Sequence, residues 1–407
     1  MKRLYDETLL TPLRVARNSK YLDWDAQPSQ FKEYPAFLFR YAFDEVAALK
    51  VAQLSRCVTF LGEISSKPYY RLNLPSAGNL HPTELYLQIR GIRGVISGIY
   101  HVDAKNGCLV LIQEIDKEGL EPYVGLRHRF KGMLVVVSTV PFRSEWKYGR
   151  RAWRYCDLDA GHQAGSVLAA ASATGQNVTI LSGIDTEGLH QALGFGDEEY
   201  PVVALGIGEE GDREAGRLEH ALMHVCPLDY SEGTRDASAY LLAPKISDAK
   251  GYRPEKIEEE TILRRRSARR FSGEALSKEG ADFVASLLQE VPEPLHAWQI
   301  WMHHPTLPDG IYRDGVCVDR GEYAKLVCRM LVDQYFIAEA SAVVILTTDA
   351  FGPGALLGAG IFVQRVYMEA GQKGLGVTGI GAYYDLKLQQ FLGTDEAILY
   401  VAAIGAV

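Results

Sequence analysis

Slid along itself by 199 residues, the chain aligns 159–206 with 358–405 without a gap. Matches include Gly161/Gly360, Val167/Val366, Ala171/Ala370, Gly175/Gly374, Val178/Val377, Thr179/Thr378, Leu189/Leu388, Gln191/Gln390, Leu193/Leu392, Gly194/Gly393, Val202/Val401 and Gly206/Gly405. Chance matches would scatter over Ala and Val. These include glycines at helix ends and turns, where backbone angle dictates the residue. Gly98-Ile99-Tyr100 against Gly310-Ile311-Tyr312 is a second echo. A chain of 407 residues can hold two domains or one two-lobed body. The repeat predicts two related α+β units packed as an intramolecular pseudo-dimer.

Local patterns fill in each unit. Residues 1–45 are an aromatic, Pro-containing arm with Tyr21, Trp24, Phe31, Tyr34, Phe37 and Phe39. Val46, Leu49, Val51, Leu54 and Val58 recur at helical spacing, which predicts a helix over 45–62 capped by Gly62. Strands are predicted at 85–89, 98–102, 133–140 and 202–206, with an Ala-rich helix over 157–174. Residues 208–257, with Gly208, Gly211, Pro227 and Pro244, read as a connector between a unit at 1–207 and a unit at 258–407. The second unit carries predicted helices over 258–266, 277–289 and 356–373, and strands at 297–302, 342–347 and 398–404.

Composition narrows the function. A net charge of −8 with no basic block argues against nucleic acid or an anionic membrane surface as the main partner. No apolar run reaches the roughly 18 residues of a membrane helix. The six cysteines form no Cys-x-x-Cys pair, and no His/Cys/carboxylate spacing suggests a metal. Acids in the first seven residues, where a signal peptide is apolar, add to the expectation of a reducing, cytoplasmic setting.

Four stretches can carry chemistry. Pro75-Ser76-Ala77-Gly78-Asn79 offers a hydroxyl, an amide and close backbone approach ahead of a core strand, although a plain turn has the same composition. Arg265, Ser267 and Arg269, within Arg264–Phe271, group guanidiniums around a hydroxyl, which suits a phosphate; a solvated basic helix end looks the same. Gly379-Ile380-Gly381 is a side-chain-poor turn against which a flat ring can lie. Lys147-Tyr148 precedes Arg150, Arg151, Arg154 and Asp159-Ala-Gly-His162. The pair could deliver or remove a proton, or belong to a basic surface loop. His162 reads as a helix-start residue that structures the loop through Asp159.

The loop, followed by Pro82-Thr-Glu-Leu-Tyr86, resembles that of the FMN-dependent nitroreductase superfamily, in the form of its SagB/McbC-type dehydrogenase branch. Arg265, Ser267, Arg269 and Phe271 resemble the superfamily's Arg-x-Ser-x-(Arg/Lys)-x-Phe motif. The resemblance covers about 20–206 and 258–405. It implies a nitroreductase-like α+β fold and FMN as cofactor. It implies Arg265 and Ser267 on the phosphate and ribityl chain, with Arg269 near the pyrimidine side of the ring. Gly379, Ile380 and Gly381 would lie along the ring, with Pro75, Ser76, Ala77 and Asn79 closing from the first unit. Lys147 and Tyr148 match the branch's Lys-Tyr pair, implicated in substrate deprotonation. Expected partners are a small-molecule or peptide-derived substrate and NAD(P)H.

The units have lost opposite parts. The counterpart of Gly379-Ile380-Gly381 is Ile180-Leu181-Ser182, and Arg17-Asn18-Ser19-Lys20 is a poor Arg/Ser motif. The second unit has Val291-Pro-Glu-Pro-Leu295 in place of the Pro-Ser-Ala-Gly-Asn loop. One complete composite site and one dead mirror site are expected. The competing expectation is a degenerate flavin-binding scaffold that partners another protein without turnover. A nucleotide-binding protein built on the Arg cluster lacks a Walker-type Gly-Lys-Ser/Thr.

Overall fold

The computed structural model describes residues 2–17, 22–64, 67–232 and 246–407. Tyr21, residues 18–20 of the poor Arg/Ser candidate and residues 233–245 of the expected connector lie outside the described residues.

Two antiparallel sheets repeat one plan. The first holds β1 (Arg40–Ala42), β2 (Thr83–Arg90), β3 (Gly98–Asp103), β4 (Cys108–Glu114), β5 (His128–Thr139), β6 (Val178–Leu181) and β7 (Tyr200–Glu214), in the order β1-β4-β3-β2-β5-β7-β6. The second holds β8 (His296–Trp301), β9 (Gly310–Arg313), β10 (Val316–Arg320), β11 (Ala342–Thr348), β12 (Leu375–Ile380) and β13 (Ala397–Ala406), in the order β10-β9-β8-β11-β13-β12. Without β1 the two orders are the same. Unbroken apolar runs such as Met133–Val137 and Val343–Leu346 are buried on both faces, as their sequences require.

Two long helices meet at the centre: α2 (Ala152–Ala173), which follows α1 (Phe142–Tyr148), and α5 (Pro353–Gln372). Between them in the chain come α3 (Glu259–Arg264) and α4 (Lys278–Gln289), and α6 (Asp385–Leu392) follows α5. Nearly every residue of α2 and α5 is buried, so neither has a polar face. They touch through the repeat's own glycines. A Cβ on Gly161 would stand 2.8 Å from Gly360 Cα, and one on Gly360 would stand 2.9 Å from Gly161 Cα. Each would also strike a carbonyl of the opposite helix, Leu357 or Leu158. Residues 199 apart thus face each other across the contact, as an internal twofold axis demands. One hydrophobic core runs through both helices.

A charged knot ties the first unit to α6. Asp385, fully buried, receives Arg151 Nη1 at 3.0 Å and Arg154 Nη1 at 2.6 Å. Arg151 Nη2 also donates to Gly381 O at 2.9 Å, which fixes the turn after β12.

The helix expected over 45–62 is corrected. A 3-10 turn and a short helix end at Ser55, and Val58–Ile64 is a strand paired with Lys67–Leu72. Arg56 takes an extended conformation because its buried guanidinium is drawn to Thr83, Gln163 and Glu84. Tertiary bonding overrides the helical spacing there. Gly62 lies within that strand and caps nothing.

Candidate functional site

The loop before β2 holds an unusual backbone. Gly78, Asn79 and His81 all have positive φ, at 65°, 60° and 47°. A left-handed histidine is costly, and such strain persists only where surrounding contacts over-determine it. Those contacts are present. Asn79 Nδ2 donates to Tyr70 O at 2.8 Å, and Asn79 Oδ1 lies 3.0 Å from His81 Nε2. His81 N donates to Ser76 Oγ at 2.9 Å, and Ser76 Oγ donates to Asp159 Oδ2 at 2.6 Å. Gly78 is required as glycine, since a Cβ there would also stand 2.5 Å from the Tyr148 hydroxyl.

The loop forms one wall of two adjoining clefts. One, of about 270 Å³, is bounded by Pro75, Ser76, Ala77, Tyr148, Asp159 and, from the second unit, Ser267, Arg269, Gly379, Ile380, Gly381 and Tyr400. The other, of about 340 Å³, adds Asn79, Tyr69, Arg71, Arg265 and Arg266. Pro75, Ser76, Gly78, Ser267 and Arg269 line both. The structure therefore brings together Pro75, Ser76, Ala77, Asn79, Arg265, Ser267, Arg269, Gly379, Ile380, Gly381 and Tyr148. Lys147 stands at the rim, with Nζ 4.7 Å from the Trp24 ring centroid and 5.3 Å from that of Tyr148. Burial lowers the pKa of its ammonium.

Arg265 is a buried cation. Its Nε donates to Asn73 O at 2.9 Å and Nη2 to Leu72 O at 3.2 Å, while Nη1 reaches Ser267 Oγ at 3.5 Å. Among the described residues no carboxylate lies in salt-bridge range of Arg265, Arg266 or Arg269. Burial, reinforced by Arg266 and Arg269, pushes the Arg265 pKa down to about 10. A buried guanidinium held by carbonyls and without a counter-charge is suited to an anion. Arg269 Nη1 donates to Thr378 Oγ1 at 2.9 Å on β12, beside Gly379.

The glycines of Gly379-Ile380-Gly381 have a role their sequence does not reveal. A Cβ on Gly381 would stand 2.5 Å from the Tyr155 ring, and one on Gly379 would strike Tyr400. Their bareness admits these two tyrosines, which line the same cleft. Gly379 N donates to Tyr367 OH at 2.7 Å, and Tyr367 OH lies 2.9 Å from Ser267 Oγ.

The reading of His162 is corrected. It sits within α2, fully buried, with Nδ1 3.1 Å from Gln364 Oε1 and Nε2 3.0 Å or less from Tyr400 OH, at 2.9 Å. Burial pushes its pKa down to about 3, so it stays neutral. It bridges the units and does not hold Asp159. Asp159 instead accepts from Ser76 and, at 3.4 Å, from Ala77 N. Burial without a paired cation raises the Asp159 pKa to about 7. The sequence offered one signal for this residue, a carboxylate two positions after Asp157 near the start of a helix that then turns Ala- and Gly-rich.

The opposite side of the pseudo-dimer differs. The repeat sets Gly358 where the first unit has Asp159, and the Tyr252 hydroxyl lies against it. Gly251 packs on Glu290 and Pro292, while a separate cleft of about 420 Å³ runs along Val291, Glu293, Leu295, Gln299 and Arg313 without an Arg/Ser segment or a Gly-Ile-Gly turn. Elsewhere, His296, Asp349 and Glu396 present donor atoms within 4.8 Å of one another. Glu396 is already engaged by Arg313 at 2.7 Å and Thr347 Oγ1 at 2.6 Å, as an ion-pair cluster. No helix among the described residues is long and apolar enough to cross a membrane.

Comparison with known proteins agrees with this architecture. Residues 40–209 match the model of the nitroreductase family. A curated Methanocaldococcus jannaschii protein named "putative nitroreductase" is 24% identical over 140 residues, 34% of this chain and 70% of its own. The crystal structure of a protein from Anabaena variabilis, also described as a "putative nitroreductase", superposes with a TM-score of 0.79. That match is 20% identical and covers 100% of this chain and 99% of the other, which shows the fold. The Escherichia coli microcin synthetase McbBCD complex overlaps 52% of this chain and 87% of its own, at 14% identity and a TM-score of 0.34. The chain therefore has a nitroreductase-like α+β fold in two tandem units, and its first unit carries the sequence pattern of the nitroreductase family.

Proposed function

We propose that the chain is an FMN-dependent oxidoreductase with one composite flavin site per chain, of the SagB-type dehydrogenase and nitroreductase class. The observation that carries this is Arg265, a buried cation with no acidic partner among the described residues, lining the larger of the two adjoining clefts between the units. The clefts fall near the size of small-molecule sites, about 300–1,000 Å³. Arg265, Ser267 and Arg269 would hold the phosphate and one ring edge. Gly379, Ile380 and Gly381 would flank the ring, and Pro75, Ser76, Ala77 and Asn79 would close over it. When bound, FMN supplies hydride exchange at its N5 position.

The chain's own residues orient the reactants and manage protons. Arg151 and Tyr155 both bond Gly381 O, which fixes the turn beside the ring position. Burial raises the Tyr148 pKa, so its phenol stays protonated and can donate. Lys147, its pKa lowered by burial, is the better proton acceptor of the pair. The substrate would be a small organic or peptide-derived molecule, with NAD(P)H as a hydride donor. A general acid or base contributes about 10²–10⁴ in rate. Lys147→Ala should lose that factor in turnover and keep its flavin content. Unchanged turnover would return Lys147 to a surface role. The cofactor assignment is tested by the absorbance spectrum and cofactor mass of the purified protein. A colourless protein that takes up no FMN would refute it.

A further inference from the structure

Asp159 is the one carboxyl among the residues lining the smaller cleft. It is buried at 4% exposure, and both its oxygens face the Ser76-Ala77 backbone and hydroxyl. The groups around it are Tyr155, Cys156, Asp157 and His162 on its own helix, Lys147 and Tyr148 on α1, and Tyr400 and Arg269 from the second unit. Among the described residues, none of these cations comes within salt-bridge distance of its carboxyl. Burial raises the pKa of Tyr148, Tyr155, Tyr400, Cys156 and Asp157, and holds His162 neutral.

We propose that Asp159 is a proton-exchanging residue of this cleft, and that its proton sets whether the Ser76 hydroxyl can donate to a bound ligand. Ser76 Oγ has one hydrogen and two lone pairs. When Asp159 is ionised, that hydrogen is committed to the carboxylate across the 2.6 Å contact. When Asp159 is protonated, its own O–H donates to Ser76 Oγ. His81 N then occupies the second lone pair, and the Ser76 hydrogen is released toward the cleft. The isoalloxazine edge offers carbonyl and ring-nitrogen acceptors for it. This rests on the flavin reading for the identity of the ligand, and on the burial and hydrogen bonding of Asp159 for the proton.

The sign follows. A ligand that accepts from Ser76 binds more tightly with Asp159 protonated, so affinity falls as pH rises through about 7. A net hydrogen bond is worth about 0.5–1.5 kcal/mol, which corresponds to roughly three- to tenfold in affinity. The test titrates the apoprotein with riboflavin, which has no phosphate to ionise, and with FMN, at pH values either side of 7. Wild type should weaken roughly three- to tenfold toward high pH. Asp159→Asn donates its amide hydrogen to Ser76 and should bind tightly at every pH. Ser76→Ala should be flat and weaker. A flat wild-type profile, or the wild-type slope retained in Asp159→Asn, overturns the proposal. If neither flavin binds at any pH, the flavin reading fails. Infrared difference spectra of wild type against Asp159→Asn then decide the proton. A carboxylic C=O band that disappears as pH rises through neutrality upholds it, and a carboxylate at all pH values overturns it.

Discussion

Gly360→Ala is expected to destabilise the protein by roughly 1–3 kcal/mol, the range of overpacked cores. The added methyl would meet the Leu158 carbonyl and Gly161 Cα, both backbone, neither able to swing aside. The α2–α5 contact would have to separate, and the single core that spans both units would open with it. Gly371→Ala, in the last turn of the same helix, is the control. Its Cβ would meet only Thr261 Cγ2 at 3.6 Å, an ordinary contact. Alanine in place of glycine in a helix gains roughly 0.5–1 kcal/mol. The two substitutions should therefore shift the urea midpoint in opposite directions. Equal shifts would mean that the glycine pair is not the seam of the pseudo-dimer.

Arg265→Ala should weaken FMN binding roughly ten- to a hundredfold. The guanidinium would lose charge-assisted hydrogen bonds worth about 1.5–3 kcal/mol each. It would also leave the Leu72 and Asn73 carbonyls without their donors, so the apoprotein should unfold at a lower urea concentration. Arg265→Lys keeps the charge and loses the planar fork, and should fall between wild type and Arg265→Ala. FMN affinity unchanged in a folded Arg265→Ala protein would remove the anion anchor from the account.

Much of this architecture is legible in the sequence because duplication leaves marks at constrained positions. Gly161/Gly360 match because two backbones touch there. Gly175/Gly374 and Gly194/Gly393 match because each ends a helix at positive φ. These constraints act on backbone geometry, which an alignment of the chain with itself can register. The loop 75–79, the Arg265–Arg269 segment and the Gly379–Gly381 turn were legible as separate pieces. Their convergence on adjoining clefts depends on the packing of the two units.

What the sequence concealed depends on long-range partners. Arg56 leaves the helical path because Glu84, Thr83 and Gln163 receive it, and no local pattern encodes that. His162 looked like a loop-structuring residue because Asp159 lies three positions before it. On α2 its ring points instead into the α5 and β13 side, to Gln364 and Tyr400. In the sequence Asp159 looks like its tether, although its hydrogen-bond partner is 83 residues away. In the sequence the glycines at 379 and 381 look like a bare wall, whereas their missing side chains make room for Tyr400 and Tyr155. Polar groups buried at the junction of two units draw their meaning from both, and neither stretch alone contains it.

The central claim is one composite site per chain, built from the loop of the first unit and the Arg/Ser and Gly-Ile-Gly segments of the second. Fluorescence titration of the apoprotein with FMN tests it most directly. The account predicts saturation at one equivalent per chain, with Tyr252 and its neighbours excluding a second. Two equivalents per chain, or none, would contradict it.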